Sequence, residues 1–259
     1  MSRSISDDMG QPLTESRPLH GTPILLLHGM FGRPQDWAAV DSAFRNERPV
    51  FVPRLPVFDF PSGKSGLDVL VDRVGQIIDQ IGTEKVILGG NSLGGHVATL
   101  AALNFPKKVA GLILTGSSGL FERGLDQGFE RGVPRKPGRE WIHARIREVF
   151  FDPVHITDEL IAEVSETISH PRTVLNIIRL ARAVRRSNLR DHLKKIDCPV
   201  TLIWGREDQI TPPEVGADFN ALLPDSELYL IDRCGHTPPI ERPEEFNGIM
   251  RHSIERMTA

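Results

Sequence analysis

Ser92, Asp208 and His236 are the residues whose types could together make and break a covalent bond. A serine hydroxyl has little nucleophilicity at neutral pH until a base takes its proton, and an imidazole acting as that base needs an anion to hold its tautomer and stabilise the imidazolium. The chemistry of such a trio is acyl transfer to water. Ser92 stands in Leu88-Gly89-Gly90-Asn91-Ser92-Leu93-Gly94-Gly95-His96, a G-x-S-x-G match. Chance produces that match too, so its setting carries the argument.

The setting is an apolar run, Val86-Ile87-Leu88, before the serine and a helical pattern, LGGHVATLAALNF, just after it. A strained strand–turn–helix crossing exposes a nucleophile and needs small residues at Gly90 and Gly94, where side chains would meet neighbouring backbone. The helix start adds free N–H groups and a positive dipole end beside the hydroxyl. His236 lies in RCGHTPPIERPEEF after the run ELYLI, and Asp208 in WGREDQITPP after VTLIW, so both are expected at strand ends. Asp208 could instead be a turn-forming or capping aspartate, and Glu207 is a weaker candidate for the anion. A fourth stretch, LLLHGMFGRPQDW, follows the first strong strand, and such loops present a backbone N–H to an oxyanion. The two donors are assigned to Met30 and Leu93, with Phe31 as the alternative to Met30. His28 is read as a residue that fixes this loop.

The elements that must position these groups follow from hydrophobic pattern. Short apolar runs at 24–27, 50–52, 86–88, 112–115, 200–204 and 227–231 read as strands buried on both faces of a parallel sheet. Between the second and third, Leu67, Leu70, Val71, Val74, Ile77, Ile78 and Ile81 form the stripe of an amphipathic helix that Gly82 can close. Strand alternating with helix predicts a doubly wound α/β fold, with ligands outside the carboxyl ends of the strands. From about Gly119 to Asp191 only helices are expected, over Arg139 to Phe150, Thr157 to Ile168 with Thr157 as N-cap, and Pro171 to Arg186. The division is therefore a polar tail at 1–21, a core domain at 22–118 and 192–259, and a helical cap at 119–191.

The motifs at His28 to Gly32, Gly90 to Gly95, Trp204 to Pro212 and Gly235 to Pro243, in that order, resemble the α/β-hydrolase superfamily from Pro23 onward. The resemblance implies a nucleophile–acid–histidine triad of Ser92, Asp208 and His236 and a helical insertion that caps the substrate pocket. Two departures stand out. Where the family usually has an Asp-x-x-Gly-x-Gly turn this chain has Pro53-Arg54-Leu55-Pro56-Val57-Phe58-Asp59-Phe60, and little chain precedes Pro23 for an N-terminal hairpin, so six strands are expected.

A serine at the elbow in place of an aspartate speaks against the superfamily's epoxide hydrolases and haloalkane dehalogenases. It favours hydrolysis of a small carboxylic ester through an acyl-enzyme, with no metal or organic cofactor. The alternative, implied by resemblance to hydrolases of ring-fission dienoates, is carbon–carbon cleavage, with Arg179, Arg182, Arg185 or Arg186 gripping a carboxylate. Helix arginines more often form a solvated basic face. A third reading is a non-catalytic ligand sensor on the same fold.

Composition narrows the partners. A net charge of −3 with Lys and Arg dispersed speaks against a nucleic-acid or membrane partner. The partner expected is a small-molecule ester substrate, and the chain is expected as a monomer or homodimer. Two cysteines, Cys198 and Cys234, are too few for a disulfide framework, and no apolar run approaches the ~18 residues of a membrane span. A cytoplasmic protein is expected. His96, Trp37 and Trp141 are expected to serve packing, and Cys234 to be a bystander.

Overall fold

The computed structural model describes residues 21–61, 63–120 and 138–258. The expected polar tail, apart from Gly21, and the first part of the expected cap lie outside the described residues. Six strands are present among them: β1 (Ile24–Leu27), β2 (Val50–Phe51), β3 (Val86–Asn91), β4 (Val109–Thr115), β5 (Val200–Gly205) and β6 (Ser226–Ile231). All pair in parallel, in the order β2-β1-β3-β4-β5-β6.

The apolar runs form buried strands because helices cover both faces of the sheet. In β1, Leu25 and Leu27 point into one core with Leu88, Leu112 and Leu202, whereas Ile24 and Leu26 point into another with Ile87, Ile113 and Ile203. Alternation of side chains along a strand thus divides one apolar run between two layers. The first layer is closed by α2 (Gly66–Ile81), α3 (Leu93–Asn104) and α7 (Pro213–Leu222), and the second by α1 (Ala38–Phe44) and α9 (Pro243–Thr258). The stripe of α2 is buried from Leu67 to Ile78, and the helix ends on Gly82 at φ 72°. Truncating one of its fully buried residues, such as Leu70, is expected to cost about 2–5 kcal/mol.

Between β4 and β5 the described chain forms α4 (Arg139–Arg147), α5 (Asp158–Ser169) and α6 (Pro171–Arg186), with no strand among the described residues there. The first ends three residues earlier than its pattern predicts, in a turn at Glu148 and Val149. Thr157 caps α5 by accepting a bond from the Leu160 N–H at 3.2 Å. These helices have a small apolar cluster of their own around Ile142, Ile146, Phe150 and Ile161, with Trp141 packed at its margin. Leu180 and Val184 of α6 join the main core instead. The departure at Pro53–Phe60 proves to be a packed loop. Leu55, Val57 and Phe60 are buried in it, and the Phe58 carbonyl accepts a bond from Asn176 of α6 at 2.9 Å.

Candidate active site

The sheet order reverses between β1 and β3, the point at which ligands bind outside the carboxyl ends of an open α/β sheet. Ser92 follows β3 at this point with φ 57° and ψ −118°, outside the regions comfortable for an L-residue. The turn is held by the Ser92 N–H donating to the Thr115 carbonyl at 3.0 Å, and by the Ser92 carbonyl accepting from His96 and Ser118, each at 3.2 Å. Close approach explains the glycines. A Cβ on Gly90 would lie 2.3 Å from the Gly94 oxygen, and one on Gly94 would lie 2.1 Å from the Leu27 oxygen.

Asp208 and His236 lie beyond the ends of β5 and β6. Asp208 Oδ2 is 2.8 Å from His236 Nδ1, with both side chains buried. The other oxygen, Oδ1, accepts from the Ile210 and Thr211 N–H groups at 2.8 and 2.9 Å, so the carboxylate is a turn acceptor and the histidine's partner at once. Glu207, the weaker candidate, accepts instead from the Cys234 N–H at 2.9 Å. Burial pushes the Cys234 thiol well above its ordinary range, so it stays protonated beside the site.

Residues not singled out by sequence complete the constellation. Asn91 donates from Nδ2 to the His236 carbonyl at 2.9 Å and to the Thr115 carbonyl at 3.2 Å, joining the serine turn to the histidine loop. Thr211 Oγ1 is 2.9 Å from the Gly116 carbonyl, 3.0 Å from Asp208 Oδ2 and 3.3 Å from His236 Nδ1. The Gly116 backbone itself lies against the imidazole. Thr211, three residues after Asp208, has a spacing at which a side chain meets a local carboxylate. Asn91 has no such local signal, because its partner is 145 positions away.

The loop after β1 sits over the serine. A Cβ on Gly29 would come 3.4 Å from the Ser92 Cβ, which brings Met30 beside the turn, and Leu93 opens α3, where first-turn N–H groups lack helical partners. His28 fixes this loop, as expected: its Nε2 accepts from the Leu55 N–H at 2.9 Å and its Nδ1 donates to the Gly29 carbonyl at 2.8 Å. Burial lowers its pKa to about 4. Phe31 is 38% exposed with its ring 5.6 Å from that of Phe58. Arg33 reaches Glu163 of α5 at 2.8 Å and tethers the same loop to the insertion.

Among the described residues Ser92 Oγ makes no hydrogen bond to His236, whose Nδ1 faces Asp208 and Thr211. His96 is fully buried and bonds to Ser187 Oγ at 3.1 Å, so it meets the chain returning from the insertion as well as the sheet. Trp37 is core. Arg179, Arg182, Arg185 and Arg186 are exposed on α6.

Comparison with known proteins adds the family. The model of the alpha/beta hydrolase family matches residues 24–249. A 2-hydroxy-6-oxononadienedioate/2-hydroxy-6-oxononatrienedioate hydrolase of Cupriavidus pinatubonensis is 28% identical, over 88% of this chain and 84% of its own. Among solved structures, an alpha/beta hydrolase enzyme from the metagenome of lagoon sediments at Mar Chica, Morocco, is 34% identical with a TM-score of 0.74, covering 92% of each chain. A thermophilic esterase of Thermogutta terrifontis is 26% identical with a TM-score of 0.76, over 93% of this chain and 92% of its own. No helix among the described residues is long and apolar enough to cross a membrane. The family match runs from the first strand of the sheet into its last helix, and on that ground the chain belongs to the α/β-hydrolase family and is a hydrolase.

Proposed function

We propose that this hydrolase is serine-dependent and cuts a bond to a carbonyl carbon in a small substrate. Ser92 is the nucleophile, His236 its base and Asp208 the anion that orients the histidine, with the Met30 and Leu93 amides as oxyanion donors. The observation that carries the reading is the 2.8 Å contact between Asp208 and His236 beside the strained Ser92 turn. His236 takes the Ser92 proton as Oγ adds to the carbonyl, and returns it to the leaving group as the tetrahedral intermediate collapses. The same histidine then deprotonates a water that attacks the acyl-enzyme, and passes that proton to Ser92 Oγ as the acid leaves. The route requires no metal or organic cofactor.

For the bond that is cut, carbon–carbon cleavage beside the 6-oxo group of a 2-hydroxy-6-oxo-dienoate ranks first. It is the substrate class in the name of the Cupriavidus relative, which this chain matches over most of both lengths. That order reverses the one expected from sequence, where an ester came first. A carboxylic ester is the second reading. The exposure of Arg179, Arg182, Arg185 and Arg186 supports it, because a dienoate carboxylate calls for a cation directed into the site. So does likeness to the Thermogutta esterase.

A panel of a ring-fission dienoate and short and long aryl esters, with Ser92→Ala as control, tests both. Dienoate turnover above that of every ester is expected, and the reverse result exchanges the two readings. Fluorophosphonate labelling lost in Ser92→Ala tests the mechanism, and an unlabelled native protein overturns it in favour of a sensor.

A further inference from the structure

Glu241 closes the short helix α8 (Pro238–Glu241) and is 7% exposed. Its Oε1 accepts from the N–H of Gly235, the residue before His236, at 2.8 Å. Its Oε2 accepts from the Phe151 and Asp152 N–H groups at 2.7 and 3.2 Å, in the chain that follows α4 of the insertion. Alongside, the His236 N–H donates to the Val149 carbonyl at 2.7 Å. Three N–H donors converge on the two carboxyl oxygens, an arrangement that an amide of the same shape cannot accept in full.

Packing repeats the link. Ile240, the neighbour of Glu241, packs against the insertion's cluster of Ile142, Ile146, Phe150 and Ile161. There is no slack between the two segments: a Cβ on Gly235 would lie 2.6 Å from the Val149 oxygen and 2.8 Å from the Phe151 nitrogen.

We infer that Glu241 is a positioning residue for the reaction: it holds the backbone on either side of His236 against residues 149–152 of the insertion, so that the insertion and the histidine keep one relative placement. This rests on His236 being the base. The carboxylate touches neither the imidazole nor Ser92 and acts through Gly235. Glu241→Gln keeps size and shape but turns an N–H₂ toward an N–H on one side, which breaks either the bond to Gly235 or those to Phe151 and Asp152.

The test combines three measurements on the full chain. The fluorophosphonate labelling rate of Glu241→Gln is expected to fall by about tenfold to a hundredfold, as for a slightly misplaced base, with Glu241→Asp partly restoring it. The proton resonance of His236 Nδ1–H should move or broaden in Glu241→Gln, while imidazole signals of His28 stay in place. A purely structural role would leave the His236 signal unmoved. Native-state hydrogen exchange of the unaltered protein should show the Gly235, Phe151 and Asp152 amides opening together.

A folded Glu241→Gln labelled at the native rate with an unshifted His236 signal overturns the inference. So does separate opening of the amides, which decides the matter if the variants do not fold. An unlabelled native protein would sink the serine mechanism instead, and the exchange and resonance measurements would still judge the clasp.

Discussion

Asp208 Oδ2 meets His236 Nδ1 at 2.8 Å across 28 positions of chain, while Asp208 Oδ1 is occupied by two backbone N–H groups. The carboxylate is locked by its own turn, so it presents an acceptor to Nδ1 and selects the tautomer whose Nε2 is free to take a proton. Asp208→Asn can offer an N–H₂ there and favour the opposite tautomer. Labelling and turnover should fall by about four orders of magnitude with the fold retained, and near-native rates would remove Asp208 from the mechanism.

Ser92 occupies a backbone conformation that glycine tolerates far better. Ser92→Gly should therefore abolish labelling yet raise stability by about 1 kcal/mol or more, whereas Ser92→Ala should abolish labelling without that gain. Urea denaturation of the pair reads the difference. Equal stability would mean that the turn carries no strain.

Gly94 and Gly248 are both helical, and their surroundings set opposite outcomes. A Cβ on Gly94 would strike the backbone of Leu27 and His28, whereas nothing lies within 4 Å of one on Gly248. Gly94→Ala is expected to cost about 4 kcal/mol or more by forcing α3 off β1. Gly248→Ala should stabilise α9 by up to about 1 kcal/mol. Melting temperatures that move in the same direction would contradict this.

Burial lowers His28 and His96 to about 4 from an ordinary value of 6.5. Below pH 6.5 the unfolded chain protonates both while the native state keeps them neutral until about pH 4, so stability is lost as pH falls through that window. The loss approaches about 3 kcal/mol per histidine. Asp36 and Glu241, whose carboxyls are raised mainly by burial, act in the opposite sense, since protonation relieves their burial. In a urea series between pH 4 and 7, His96→Gln should flatten the dependence. An unchanged slope would show that His96 titrates normally in the folded protein.

Much of the candidate site was legible because its residues sit at the ends of strands that the pattern of apolar residues already marks. Val86-Ile87-Leu88 locates the strand, the glycines locate the crossing, and Ser92 falls between them. VTLIW and ELYLI locate Asp208 and His236 in the same way. Asn91 and Glu241 stand within the motifs at Gly90 to Gly95 and Gly235 to Pro243, but the bonds they make, like the approach of the Gly116 backbone to His236, are not readable locally because their partners are remote in sequence. Glu241 bonds to Phe151 and Asp152 some 90 positions away, and nothing in PPIERP says which donors it meets.

Residue types along the chain set the layers, the parallel strands and the order of the chemical groups, since burial on two faces, helical stripes and turn chemistry are local properties. Which acceptor meets which donor follows instead from how distant segments pack in the folded chain. Asp208 rather than Glu207 faces His236, because the Ile210 and Thr211 amides hold the Asp208 carboxylate beside the imidazole while Glu207 accepts from the Cys234 amide. The arginines of α6 came to lie toward solvent because Leu180 and Val184 take the face that the core can bury.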